Sequence, residues 1–140
     1  MEHLSQFIIN HWMLCSLLII ILALIFFHER QEQKKHGKEL SPHEAVSLIN
    51  HDNAIVIDLR DAESYRKGHI IDSIRASSED FEQNRMNKYK NKPVILVCAR
   101  GLQSAPLAGK LRAMGFTRPM ALSGGIQAWQ TADLPIIKGK

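Results

Sequence analysis

Hydropathy along the chain changes character twice. From Phe7 to Phe27 there are 21 residues without an Asp, Glu, Lys or Arg. From His28 to Lys38 the chain is polar and charged, and from Glu39 short apolar runs alternate with amphipathic stretches to the end. At about 1.5 Å per helical residue, the first run spans roughly 24–32 Å, counted from Trp12 or from Phe7, close to the thickness of bilayer hydrocarbon. It is apolar on every face, unlike the amphipathic helix of a soluble core. No Lys or Arg precedes it and no small-x-small site follows Phe27, which argues for a retained anchor over a cleaved signal. The predicted organisation is a short tail over 1–6, a transmembrane helix over 7–27, a juxtamembrane linker over 28–38 and one folded domain over 39–140.

Within that domain the punctuation is regular. Ser41-Pro42-His43-Glu44 is a capping box with proline at the first helical position, predicting a helix from Pro42 to about Asn50. Ala54 to Asp58 reads as a short buried strand. Asp61 caps a brief helix over Ala62–Lys67 that Gly68 closes. Ile70–Ile74 reads as extended chain, and Ser77 or Ser78 opens a polar helix to about Tyr89. Pro93 introduces a strand over Val94–Val97, followed by a helix from Ser104 to Met114 that Gly115 stops. Met120–Leu122 is a last short strand before a helix over Ile126–Thr131. Strands alternating with helices at this spacing predict an α/β fold, a single domain with a mainly parallel five-stranded sheet flanked by helices. Sites in such folds gather at the carboxyl ends of the strands. Asp58-Leu59-Arg60, Cys98 and Ser123-Gly124-Gly125 all fall there.

Cys98 is the candidate with chemistry. It ends a β-branched strand and faces the amino end of the next helix, where unpaired N–H groups favour a thiolate, and Arg100 adds a full positive charge to the same loop. A nucleophilic thiol is therefore expected. The other cysteine, Cys15, lies in the apolar run, so the pair makes no disulfide framework, and this usage fits a reducing compartment. The seven histidines are scattered without metal-ligand spacing, so neither a metal nor another cofactor is expected. The formal charge of +4 comes without basic blocks interleaved with aromatics, and nucleic acid is not an expected partner.

Three motifs in order carry a resemblance. Val56-Ile57-Asp58-Leu59-Arg60 with Glu63, Tyr65 and Gly68-His69-Ile70 is similar to the first signature of the rhodanese domain. Cys98-Ala99-Arg100-Gly101-Leu102-Gln103-Ser104 resembles its active-site loop, Cys-x-x-Gly-x-x-Ser/Thr. Leu122-Ser123-Gly124-Gly125-Ile126-Gln127-Ala128-Trp129, closing with Leu134-Pro135, is similar to its carboxy-terminal signature. With the amino-terminal anchor, the chain resembles a small group of bacterial inner-membrane rhodanese-like proteins. The pattern departs at Asp72-Ser73, where family members usually carry Gly-Ala, at Ala99, where thiosulfate-using members often carry Arg, and at Gln103, where some place a cationic or hydroxyl side chain.

The resemblance implies a sulfurtransferase. Cys98 would take a sulfane sulfur from a small donor as a persulfide and pass it to a thiophilic acceptor, a small thiol or a protein, in ping-pong fashion. The loop from Ala99 to Ser104 would cradle the anionic sulfur, Arg100 would attract anionic donors, and Asp58 with Arg60 would support the loop. With only one loop cation, weak turnover of thiosulfate is expected. His69 is expected to hold the Gly68 turn, Trp129 to belong to the core, and Gly124-Gly125 to serve tight packing beside the loop. Phosphatases of this fold carry a longer loop ending in a phosphate-gripping arginine; Ser104 stands at that position here. The alternative is a low-turnover persulfide carrier or partner-binding module tethered to the membrane.

Charge asymmetry orients the anchor. No Lys or Arg lies before the span, whereas Arg30, Lys34, Lys35 and Lys38 follow it closely, and positive flanks stay cytoplasmic. The amino terminus is expected outside a bacterial inner membrane, with the domain in the cytoplasm. A reporter enzyme fused after Lys140 should be active only if it works in the cytoplasm; activity of a periplasm-dependent reporter there would reverse the assignment.

Overall fold

The computed structural model describes residues 1–35 and 37–139. The chain divides into two compact units, Met1–Lys34 and Lys35–Lys140.

The first unit is helical. Helix α1 spans Glu2–Asn10 and α2 spans Trp12–Lys35. The uncharged run thus does not form the single helix predicted over 7–27. It breaks at His11 (φ −120°, ψ 31°), whose Nδ1 sits 3.1 Å from the Phe7 carbonyl oxygen, the acceptor that the His11 backbone N–H also uses at 3.0 Å. A side chain competing for its own turn's carbonyl is a common local cause of such a break. At the other end the helix runs past Phe27 into the segment read as linker. One stretch, Trp12–Gln31, is long and apolar enough to cross a membrane, with a mean hydropathy of 2.2 over its most apolar window.

The second unit is an α/β domain. Its strands are β1 (Lys38–Leu40), β2 (Ile55–Asp58), β3 (Ile74–Arg75), β4 (Pro93–Val97) and β5 (Arg118–Leu122). They form one five-stranded sheet in the order β1-β5-β4-β2-β3, and every pairing is parallel. The helices are α3 (Pro42–His51), α4 (Ala62–Lys67), α5 (Ser78–Glu82), α6 (Ser104–Ala113) and α7 (Gly125–Thr131).

The central strand shows why the run Val94–Val97 has no polar alternation. Val94 and Leu96 face one layer of core with Ile57, Phe81, Ala105, Ala108 and Leu111. Ile95 and Val97 face the other, with Val56, Met120, Leu122 and Trp129. A strand covered on both faces needs apolar residues at both parities. Trp129 is buried, and its Nε1–H donates to the Pro135 carbonyl at 3.0 Å, the core role expected of it. Buried His69 holds the end of α4 to the carboxy-terminal tail: its backbone exchanges two hydrogen bonds with Ile137 (2.9 and 2.8 Å). The capping box at Ser41 and Glu44 forms with both reciprocal bonds, so α3 starts where its sequence places it.

Four expectations need correction. Lys38–Leu40, at the junction of the expected linker and domain, is a strand; three residues carry no periodicity, and only pairing with β5 makes them one. Ile70–Ile74 is largely a turn, with Ser73 N–H donating to the Ile70 carbonyl at 3.0 Å and Asp72 at φ +62°. Only Ile74 and Arg75 pair as strand. The helix expected to reach Tyr89 ends at Glu82, since Asn84 adopts φ +61°, and a short 3₁₀ turn over Asn87–Tyr89 follows. Strand β5 begins at Arg118 rather than Met120, with Pro119 tolerated just before β1 pairing starts at Met120.

Phe81 is 1% exposed and meets Phe116 edge-on, ring centroids 5.8 Å apart. Phe81→Ala should cost about 3–5 kcal/mol, the range for a large-to-small change in a packed core. Urea unfolding of the full chain in detergent, followed by near-UV circular dichroism, measures it.

Candidate active site

The first turn of α7 sets the position of the loop after β4. Ile126 N–H donates to the Cys98 carbonyl at 2.9 Å and Gln127 N–H to the Ala99 carbonyl at 3.3 Å. These two backbones meet so closely that a Cβ on Gly125 would lie 2.8 Å from the Gly101 nitrogen, and one on Gly101 would lie 2.8 Å from the Gly124 nitrogen. Gly125 is at φ +61° and Gly101 at φ +86°, a region side chains disfavour. The tight packing expected of Gly124-Gly125 beside the loop is what the structure shows.

Held in this way, Cys98 is 3% exposed. Gly101 N–H donates to its Sγ at 3.0 Å, and the buried Ser104 hydroxyl lies 3.4 Å away. Burial alone would push the thiol up. The Ser104 hydroxyl and the backbone N–H groups of Gln103, Ser104 and Gly101 outweigh it, and Cys98 titrates below an ordinary thiol. Ser104 opens α6, so the field at that helix terminus acts in the same sense. Arg100, expected to share this role, is exposed and is not among the groups that lower Cys98. Its side chain instead lines the mouth of the cleft.

Buried Asp58 and partly buried Arg60 meet as a pair on the neighbouring strand end. Arg60 Nε donates to Oδ1 at 3.0 Å and Nη2 to Oδ2 at 2.7 Å. Nη2 also donates to the Gly68 carbonyl at 2.6 Å, tying β2 to the end of α4. The bidentate geometry and burial make this a well-fixed ion pair. Among the described residues no cluster of His, Cys, Asp or Glu is arranged to hold a metal.

A cleft of about 360 Å³ opens over Cys98, walled by Leu59, Arg60, Asp61, Ala99, Arg100 and Gln103, with Leu102 at its edge. Leu102 is 79% exposed. Of the loop positions singled out in the sequence, Cys98, Ala99, Arg100, Leu102 and Gln103 line this cleft, whereas Gly101 and the buried Ser104 reach Cys98 Sγ by hydrogen bonds. Asp61 and Ser64 were not foreseen here. Asp61 was read only as a helix cap, which it also is, its carboxylate accepting from Ser64 N–H at 3.5 Å. The signal was the run Leu59-Arg60-Asp61 directly after the carboxyl end of β2, the sheet edge where sites of this fold class gather.

Two substitutions separate the sources of the low Cys98 pKa. Alkylation by iodoacetamide, followed against pH, should show a midpoint below that of a free thiol. Ser104→Ala should move it upward, and Arg100→Ala should leave it nearly unchanged. An upward move with Arg100→Ala and none with Ser104→Ala would reverse the assignment.

Comparison with known proteins agrees with this geometry. The family profile of the rhodanese-like domain matches residues 41–132. The uncharacterized protein YibN of Escherichia coli K12 is 32% identical over the full length of both chains. The thiosulfate sulfurtransferase GlpE of Actinobacillus pleuropneumoniae serotype 3 is 33% identical, over 70% of this chain and 91% of that one. The crystal structure of the BH2092 protein of Bacillus halodurans superposes with a TM-score of 0.63 at 23% identity, covering 83% of this chain and 85% of that one, a likeness of fold. On the matched profile, the relatives and the sheet that carries the Cys98 loop, the chain belongs to the rhodanese-like family.

Proposed function

We propose that the chain is a membrane-anchored sulfurtransferase that moves sulfane sulfur through a persulfide on Cys98. The observation that carries this reading is a lowered thiol at the floor of a cleft, ringed by a hydroxyl and backbone N–H groups. The relatives that carry the name thiosulfate sulfurtransferase point the same way.

The chemistry follows from those groups. The Cys98 thiolate attacks the outer sulfur of the donor, a new S–S bond forms, and the donor's own bond to that sulfur breaks with its electron pair leaving on the remainder. The outer sulfur of the resulting persulfide is anionic. The N–H groups of Gly101, Gln103 and Ser104 face this end of the loop and stabilise it as preorganised dipoles. A thiolate acceptor then attacks the outer sulfur, and the Cys98 thiolate is released.

The cleft's charges bear on the donor. Arg60 is committed to Asp58, and the remaining charged residues of the cleft, Asp61 and Arg100, are of opposite sign. Little net positive charge is left for a dianion such as thiosulfate, which supports a preference for less charged persulfide donors. The anchor reading rests on the apolar helix Trp12–Gln31 and the basic residues after it: amino terminus outside, domain in the cytoplasm, at a bacterial inner membrane.

Intact-mass analysis of the full chain in detergent, after exposure to donors, should show an adduct of one sulfur atom, about +32 Da. Cys98→Ser should lose both adduct and turnover, because a neutral alcohol is a poor nucleophile toward sulfur. Gln103→Arg should favour thiosulfate by adding a cation near Cys98, worth on the order of 1–4 kcal/mol at about 4 Å before desolvation. Full turnover in Cys98→Ser would overturn the persulfide mechanism. A folded protein that takes up no sulfur from any donor would shift the reading to a tethered binding module.

A further inference from the structure

From Gln83 to Ala132 the chain carries eight Lys or Arg and no Asp or Glu. The fold sorts these cations between the two edges of the sheet. Arg100 lines the cleft at the carboxyl edge, and Lys110 lines a hollow with Ser77 and Ser78. Arg85 and Arg118 are paired, with Asp80 at 3.0 Å and Asp52 at 3.6 Å. That leaves Lys88, Lys90, Lys92 and Arg112, none of which makes a salt bridge among the described residues.

These four lie at the amino edge, the end of the sheet opposite Cys98. Lys88, Lys90 and Lys92 belong to the segment that enters β4 at Pro93. Arg112 is in the last turn of α6, which returns from the Cys98 loop toward the start of β5. Backbone contacts hold the two segments together. Thr117 N–H donates to the Lys90 carbonyl at 2.9 Å, and Gly115 N–H, just past α6, donates to the Arg112 carbonyl at 3.2 Å. Pro93 stands in register with Arg118, and Lys90 Nζ comes within 3.8 Å of where a Cβ on Gly115 would lie. Lys88, Lys92 and Arg112 are exposed. A surface of this kind acts through its summed field, which suits a partner that is itself a sheet of charge.

We propose that the amino edge is a lipid-binding face that takes the anionic headgroups of the leaflet where the anchor ends. This rests on the anchor reading and adds an electrostatic contact to it. Between Gln31, where the membrane-crossing stretch ends, and Lys38, where β1 begins, stand six residues. Fully extended they reach about 20 Å, little more than the radius of a domain of about a hundred residues. The domain therefore stays beside the headgroups by chain length alone. The pull of an anionic leaflet on a basic residue fades within a Debye length, about 8–10 Å, which a tether this short keeps within reach. With its amino edge on the lipid, the domain turns the carboxyl edge and the Cys98 cleft toward the cytoplasm, where soluble donors and acceptors arrive.

The test reads which face meets the bilayer. The full chain is reconstituted into nanodiscs of phosphatidylcholine alone, and into nanodiscs with about a third phosphatidylglycerol. N-hydroxysuccinimidyl acetate, an uncharged reagent, then acylates the lysines, and peptide mass spectrometry gives each rate. Lys88 and Lys92 should be slowed about threefold in the anionic discs, the factor by which such a leaflet raises the local proton concentration and removes reactive free amine. Exposed Lys67, on α4 beyond the carboxyl end of β2, should keep its rate. In about 0.5 M salt, which shortens the Debye length to a few Å, the two kinds of disc should agree. Lys90→Gln with Arg112→Glu should remove the slowing at Lys88 and Lys92 while near-UV circular dichroism and sulfur uptake at Cys98 stay unchanged. Equal rates at Lys88 and Lys92 in both discs would overturn the proposal, and the wild-type chain alone decides this. Equal slowing at Lys67 would overturn it too, because the domain would then favour no face. Slowing seen only in native inner-membrane vesicles would assign the edge to an acidic protein instead of lipid. A chain that does not enter even the uncharged discs shows its failure at assembly, before any lysine is read; the anchor reading then fails first, taking the lipid face with it.

Discussion

Everything at the carboxyl edge of the sheet depends on one close backbone contact, between the start of α7 and the loop after β4. No side chain fits between them: a Cβ on Gly125 would collide with the loop, and one on Gly101 would collide with Gly124. The gain is that two N–H groups of the α7 first turn bind the carbonyls of Cys98 and Ala99. With its carbonyls turned toward α7, the loop's own N–H groups are left to face the sulfur. A preorganised cradle of this kind costs no rearrangement when charge arrives on the sulfur.

The cradle also explains which groups govern the thiol. Short-range hydrogen bonds from Ser104 and the backbone act on a buried sulfur, where little water screens them. Arg100 sits in the same loop but points to solvent, where its charge is damped. A formal charge two residues away in sequence is thus weaker than a neutral hydroxyl six residues away. The Asp58–Arg60 pair belongs to the same logic. The buried Asp58 charge is compensated by the partly buried Arg60, which also braces Gly68, so the pair acts as framework.

The two units of the chain follow different rules. The domain buries its apolar residues against both faces of a parallel sheet, whereas α2 exposes Leu, Ile and Phe on all sides. An exposed apolar helix of this length is stable in water only if something covers it, and a bilayer covers every face at once. That single property separates the apolar helix from the domain in both sequence and structure.

Much of this was legible in the residues because it is local. The capping box at Ser41, the buried strand Val94–Val97, the uncharged run ending at Phe27 and the order of the Asp58, Cys98 and Gly124-Gly125 motifs all depend on neighbours close in sequence or on periodicity. What was not legible depended on partners far along the chain. Lys38–Leu40 became a strand only because β5 offered it an edge. Asn84 stopped a helix that the polar run before Tyr89 suggested. The exposure of Arg100 and the entry of Asp61 into the cleft are set by how loops pack. The amino-acid sequence by itself determined the long apolar helix, the α/β class and a cysteine at a strand end, since hydrophobic period and helix-end chemistry act over a few residues. Only the tertiary structure decided which groups reach that sulfur and which turn away, because side-chain direction in a loop follows from the backbones packed against it.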